Sequence, residues 1–181
     1  MKYQNRGKGG ASAPPYFPIY RSGLVAVLLL LSGILIGMGT KPPQVSGPAP
    51  GFQAETLEGK PVSLSDYKGT VVVLTFWATW CEPCKKEMPE IQAAYEKYNT
   101  DGFTVLAINF GEKREGAEAF VKKMGLTFPS LLDRQTNIAE RYGVVSLPVT
   151  FFIDREGIIR ERVFGGTLTA EGIGQSFQKI R

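Results

Sequence analysis

Cys81 and Cys84 are the only cysteines in the chain, and Glu82 and Pro83 separate them. Just before them runs Val71–Trp77, a β-branched and aromatic stretch with the signature of a strand buried on both faces. From Cys81 to about Tyr98 the sequence reads as a helix. The first N–H groups of a helix have no internal partners, and its dipole makes that end positive. A thiol placed there loses its proton more easily, and the thiolate is the reactive species. A spacing of three is close to one helical turn, so both sulfurs fall within disulfide range. Pro83 fits the first turn, where its missing N–H costs nothing. Pro89 lies deeper and is expected to kink the helix.

This arrangement predicts a division of labour. Cys81, first and more exposed, attacks a substrate disulfide and forms a mixed disulfide. Cys84, one turn deeper, then attacks the Cys81 sulfur and releases the reduced substrate. The plain alternative is a structural bridge or two buried thiols. Closing so short a loop removes little unfolded-state entropy, which makes such a bridge a poor staple and a good switch.

Composition removes other chemistries. The chain has no histidine, which excludes Ser-His-Asp and Cys-His catalysis and the usual zinc and copper sites. Two cysteines cannot make a four-thiolate zinc site, and Lys85 after Cys84 excludes haem attachment of the C-x-x-C-H type. No metal site is expected. Five of the 21 basic residues and none of the 17 acidic ones lie within residues 1–47. The remainder is close to neutral, so the basic balance does not point to nucleic acid.

That basic excess flanks an uncharged run. Residues 22–40 lie between Arg21 and Lys41, and nineteen residues at ~1.5 Å each cover about 28 Å, roughly one bilayer core. The charges sit mainly on the N-terminal side, which predicts a cytoplasmic N-terminus and an extracytoplasmic remainder at the cell membrane. A cleaved signal peptide competes with an uncleaved anchor. No A-x-A site follows the run, which favours the anchor. The expected division is a disordered basic tail over 1–21, a transmembrane signal-anchor over 22–40, a Pro-rich spacer over 41–50 and one domain over 51–181.

Within that domain, Phe52–Ala54 and Pro61–Ser63 read as short strands around Glu58-Gly59-Lys60. Phe103–Asn109 and Phe128–Leu132 read as further strands. Helices are expected over Glu112–Met124, where Ala117, Phe120, Val121 and Met124 form a stripe, and over Thr136–Tyr142. Val149–Ile153 and Ile158–Phe164 read as a hairpin around Asp154-Arg155-Glu156-Gly157. Ile173, Phe177 and Ile180 mark a last helix. The order is ββ, βαβα, βα, ββα, which predicts an α/β sandwich with helices on both faces of a central sheet.

The segment Phe76-Trp77-Ala78-x-Trp80-Cys81-x-Pro83-Cys84-Lys85, with Pro89 and the later Pro148, resembles the thioredoxin superfamily. Ala49-Pro50-x-Phe52, Leu57-x-Gly59-Lys60, Leu64-Ser65-Asp66-Tyr67-Lys68-Gly69, the Cys81–Glu87 run and Ile153-Asp154-Arg155-Glu156-Gly157 resemble its membrane-anchored TlpA/ResA-like branch. The resemblance covers about residues 48–181. It implies a thioredoxin-like three-layer α/β/α sandwich with an N-terminal β-hairpin and an inserted αβ unit, preceded by one transmembrane helix. It implies a thiol–disulfide oxidoreductase that needs no cofactor beyond its Cys81–Cys84 disulfide. Its substrate would be a disulfide-containing protein such as apocytochrome c, and its electron donor a membrane thiol carrier. Trp80, Glu82, Pro83, Leu147 and Pro148 would line the substrate surface, with Pro148 as the family's cis-proline. An ordinary turn proline is the alternative for Pro148.

Three positions modify the expectation. The family usually has Thr after that proline, where this chain has Val149. Thioredoxin proper has a buried Asp six residues before the first cysteine, where this chain has Thr75. Glu87, three residues after Cys84, matches a Glu implicated in thiol proton chemistry, and is expected to tune the cysteine pKa values. A solvated surface Glu paired with a Lys is the alternative. Glu82 adds negative charge beside Cys81 with no His or Lys between the cysteines to offset it, which predicts a raised thiol pKa and a reducing protein. A Cu(I) metallochaperone on the same fold is the competing function, but such carriers generally add a His and wider cysteine spacing. A peroxiredoxin would need Thr or Ser at position 78 and an upstream Pro, and the chain has Ala78 and Leu74.

Overall fold

The computed structural model describes residues 42–181. The expected tail and transmembrane segment over 1–40 lie outside the described residues. Among the described residues, no helix is long and apolar enough to cross a membrane.

Seven strands form one mixed sheet: β1 (Gln53–Thr56), β2 (Pro61–Ser63), β3 (Val71–Trp77), β4 (Phe103–Phe110), β5 (Ser130–Asp133), β6 (Val149–Ile153) and β7 (Ile159–Phe164). Their spatial order is β2-β1-β5-β4-β3-β6-β7. β3 runs parallel to β4, and β4 to β5; β6 returns antiparallel beside β3, with β7 as its hairpin partner. All seven residues of β3 are buried, as its unbroken apolar run requires.

Among the described residues the helices are α1 (Glu82–Tyr98), α2 (Arg114–Met124), α3 (Asn137–Arg141) and α4 (Ala170–Ile180), with a 3₁₀ turn at Leu64–Tyr67. Alternation along β3 divides the interior into two cores. Val71, Val73 and Trp77 face Met88 and Ile91 of α1, Ala117 of α2, and Ile173 and Phe177 of α4. Val72, Leu74 and Phe76 face the opposite way, toward Ile138 and Ala139 of α3, with Tyr142 and Phe151. This is the α/β sandwich with an N-terminal hairpin and an inserted αβ unit (α2–β5) that the sequence led us to expect.

Several boundaries differ. Cys81 caps α1 rather than opening it, so its backbone is extended and Glu82 is the first helical residue. The helix continues through Pro89. α2 starts at Arg114, with Lys113 as its extended N-cap, and Phe128 is a buried loop residue ahead of β5 rather than part of it. Part of the expected spacer is docked on the domain. Ser46 N–H donates to Ile159 O at 2.7 Å, Ile159 N–H to Gly47 O at 2.9 Å, and Ala49 N–H to Gly157 O at 2.8 Å. The Tyr142 hydroxyl donates to Pro50 O at 2.7 Å.

Candidate active site

The C-terminal end of β3 hands the chain to α1 through the turn Ala78–Cys81, closed by Cys81 N–H donating to Ala78 O at 3.1 Å. Ala78 is buried, while Trp80 is 62% exposed. Cys81 and Cys84 form a disulfide with Cα atoms 5.3 Å apart. Cys81 Sγ occupies the N-cap position and accepts the Cys84 N–H at 3.2 Å. The helix end therefore points a donor at the first sulfur, as its orphan N–H groups allow. Both cysteines are buried in the oxidised pair, Cys81 at 4% exposure and Cys84 at 0%. The expected contrast between an exposed and a deeper sulfur is thus small.

Glu82 is exposed and ion-paired with Lys85. That hydrogen bond and the Lys85 charge hold its carboxyl below the usual range. Lys85 lies one position past the cysteines yet reaches back over the first turn, so the expectation of an uncompensated Glu82 beside Cys81 is corrected.

Glu87 is not a solvated surface residue; only 2% of it is exposed. Cys84 and Glu87 stand at i, i+3 on α1, which places their Cβ atoms about 5–6 Å apart. Burial pushes the Glu87 carboxyl pKa up, and hydrogen bonds from the Leu168 and Thr167 N–H groups partly offset this. The Leu168 N–H donates to Glu87 Oε1 at 3.0 Å. Thr75 is fully buried, and its hydroxyl oxygen accepts from the Thr150 hydroxyl at 2.9 Å. The position where the Asp of thioredoxin proper would stand holds a neutral hydroxyl pair, and Glu87 is the buried carboxylate on the helix beside it.

The Leu147–Pro148 bond is cis. Pro148 is buried, and Leu147 packs against both cores. Val149 pairs with Phe76 on one side and Phe164 on the other, which brings Pro148 to the end of β3. The Pro148 carbonyl accepts the Gly165 N–H at 3.0 Å, so its backbone is already engaged. The exposed residues of this loop, Val145 and Ser146, precede it.

The sequence reading missed the loop that joins these pieces. After β7, residues 165–168 touch Pro148 through Gly165, Pro83 through Gly166, and Glu87 through Leu168. Gly166 lies so close to Pro83 that an added Cβ would stand 2.8 Å from the Pro83 Cβ. The signal was the doublet Gly165-Gly166 at the end of a strand, which marks a close backbone approach. The structure thus brings Cys81, Pro83, Cys84, Glu87 and Pro148 into one site, with Glu82 and Trp80 on its outer rim. Among the described residues, no three His, Cys, Asp or Glu side chains gather in a way that could hold a metal.

Residues 45–162 match the model of the AhpC/TSA family. Over 137 residues the chain is 42% identical to the thiol-disulfide oxidoreductase ResA of Geobacillus thermodenitrificans (strain NG80-2), an alignment covering 76% of this chain and 78% of that protein. It is 38% identical over 165 residues to ResA of Bacillus subtilis (strain 168), covering 89% and 92%. A crystal structure described as a thiol:disulfide interchange protein DsbE from Chlorobium tepidum superposes with a TM-score of 0.71 at 32% identity, covering 76% of this chain and 98% of that one.

Proposed function

This chain belongs to the AhpC/TSA family of thioredoxin-fold proteins and is a ResA-like thiol–disulfide oxidoreductase, and from that premise we propose that it is a membrane-anchored reductase of extracytoplasmic protein disulfides, with apocytochrome c as substrate. In the reduced enzyme the Cys81 thiolate attacks one sulfur of the substrate disulfide. The other substrate sulfur leaves as a thiolate and takes up a proton. Cys84, deprotonated, then attacks Cys81 Sγ and expels the second substrate sulfur. Two electrons pass to the substrate, and the enzyme is left with the Cys81–Cys84 bond. A membrane thiol carrier restores the dithiol.

The observation that carries this reading is the capped sulfur: Cys81 Sγ stands at the start of α1 and accepts the Cys84 N–H. That donor favours the thiolate on the attacking residue. Glu87, one turn beyond Cys84 and buried, serves as the acid–base group for the resolving thiol. Val145, Leu147 and Pro148, together with Trp80 and Pro83, form the surface against which an extended substrate segment pairs. The apolar run 22–40 is the anchor. The alignment with the Bacillus subtilis relative extends beyond the described residues into this N-terminal part, which supports reading it as belonging to the same layout.

Trapping tests the proposal. With Cys84→Ala, Cys81 should hold its substrates as mixed disulfides in intact cells, and apocytochrome c should be among them. Recovery of no adduct from a variant whose Cys81 still reacts with alkylating agents would overturn the assigned order of the two cysteines. Recovery of other proteins alone would overturn the substrate.

A further inference from the structure

We propose that Glu112 is a positioning residue for the redox pair, holding the turn before Cys81 from the loop that enters α2. The carboxylate takes hydrogen bonds from three groups. Thr79 N–H donates to Glu112 Oε2 at 2.8 Å, and the Thr79 hydroxyl donates to Glu112 Oε1. Asn109 Nδ2 donates to Oε2 at 2.7 Å. Asn109 is itself fully buried and stands opposite Trp77 in the β3–β4 register. Glu112 thus ties the ends of the two central strands to the segment that delivers Cys81.

Its position makes this use of the carboxylate informative. An acidic group just ahead of a helix ordinarily stabilises that helix's own first N–H groups. Here the N-cap of α2 is Lys113, with no side-chain cap, and the Glu112 oxygens turn away to Thr79, 33 residues earlier in the chain. The other end of the Ala78–Cys81 turn is held by the Cys81 N–H bond to Ala78 and, from α1, by the Lys85 N–H donating to Cys81 O at 3.2 Å. Thr79 is the point at which the turn is tied to β4 and to the entry of α2, so α1 holds Cys81 from one side and Glu112 holds its approach from the other. If Thr79 is released, the approach to Cys81 loosens, Cys81 Sγ spends less time on the Cys84 N–H, and the thiolate loses part of the donor that stabilises it. The inference rests on thiol–disulfide activity at Cys81, and is independent of which protein is the substrate.

The test uses the reduced full chain and follows alkylation of Cys81 by iodoacetamide against pH. Glu82, Lys85, Lys86 and Glu87, the charged groups of α1 near the pair, stay unchanged in every variant. Glu112→Ala and Thr79→Val should move the midpoint of the profile up by about one pH unit, a roughly tenfold smaller thiolate fraction below it. Thr79→Ser keeps the hydroxyl and should match the wild type. Glu112→Gln keeps the acceptor without the charge, and its midpoint should stay level or fall. A Glu112→Ala midpoint that is unchanged or lower would overturn the proposal, as would Gln and Ala shifting upward together. If Glu112→Ala does not fold, the Thr79 pair decides: separation of Val from Ser supports the clamp, and coincidence removes it. A wild type that shows no alkylation at any pH would sink the activity at Cys81 and this inference with it.

Discussion

Replacing Gly166 with alanine probes how tightly the loop after β7 is packed against the redox pair. An added Cβ would lie 2.8 Å from Pro83 Cβ, 3.1 Å from Pro83 O and 3.2 Å from Pro83 Cα. Ordinary contact begins at 3.4 Å, so about 0.6 Å has to be opened. Two of the three atoms are backbone of the first turn of α1, so no side-chain rotation relieves the contact. The loop cannot slide freely either. Gly165 is held by the Pro148 carbonyl at 3.0 Å, and Leu168 by Glu87 at 3.0 Å. Overpacking of this kind costs about 1–3 kcal/mol. Releasing one of the two hydrogen bonds instead costs about 1 kcal/mol, at the lower end of the same range. For a domain of this size each kcal/mol lowers Tm by roughly 3–4 °C, so the melting temperature of the oxidised protein should fall by roughly 3–12 °C. Gly166 does not adopt a left-handed φ, so an alanine there adds no backbone strain. Gly116→Ala is the control. Gly116 is exposed inside α2 with nothing within 4 Å of its added Cβ, and its replacement should stabilise by about 0.5–1 kcal/mol. Thermal and urea denaturation of both variants decide the matter. A Gly166→Ala protein as stable as the wild type would refute the close packing of this loop on Pro83.

Glu87→Gln should change stability with pH in a defined direction. Burial raises the Glu87 pKa above 4.5, so the folded state holds a proton that the unfolded chain has already lost. Wild-type stability therefore declines as pH rises from about 4.5 through the folded pKa, and the uncharged isostere should gain on it over that window while matching it below. A difference that stays constant from acid to neutral pH in urea titrations would rule this out, and an unaltered thiol pH profile in the same variant would remove the acid–base role. Two truncations test the docked segment. A chain starting at residue 42 keeps all four hydrogen bonds from Ser46, Gly47, Ala49 and Pro50 to the domain, whereas one starting at residue 51 loses them. At about 0.5–1.5 kcal/mol each, the shorter chain should be less stable by roughly 2–6 kcal/mol, and equal denaturation midpoints would contradict it.

Where the sequence was readable, a local signal and a tertiary demand coincided. β3 was legible because a strand buried on both faces needs an unbroken apolar run, and Val71–Trp77 has one. α2 was legible from its stripe, and the turn at Asp154–Gly157 from its residue types. The cysteine pair was legible because helix-start geometry follows from spacing alone. Side-chain partners were not. Nothing in the sequence ties Glu112 to Thr79 or Leu168 to Glu87, since these bonds join residues 33 and 81 positions apart. Glu82 was misjudged for a related reason. Its compensating Lys85 stands outside the cysteine gap but within reach on the helix surface, where i, i+3 neighbours meet. The docking of residues 46–50 was likewise hidden, because a proline-rich composition looks alike whether a segment is free or adds to a sheet edge.

The corrected charge map changes the argument for the direction of electron flow. Glu82 no longer pushes the pair toward a raised pKa, because Lys85 answers it. The attacking sulfur is left with one neutral donor, the Cys84 N–H, at the end of a helix. A buried carboxylate then stands a turn beyond Cys84, and ionising it beside a thiolate is unfavourable on both counts, burial and like charge. A dithiol in that setting keeps its protons and gives up electrons more readily than one faced by a cation. The proposed reducing role therefore rests on the buried Glu87 beside Cys84, and no longer on Glu82.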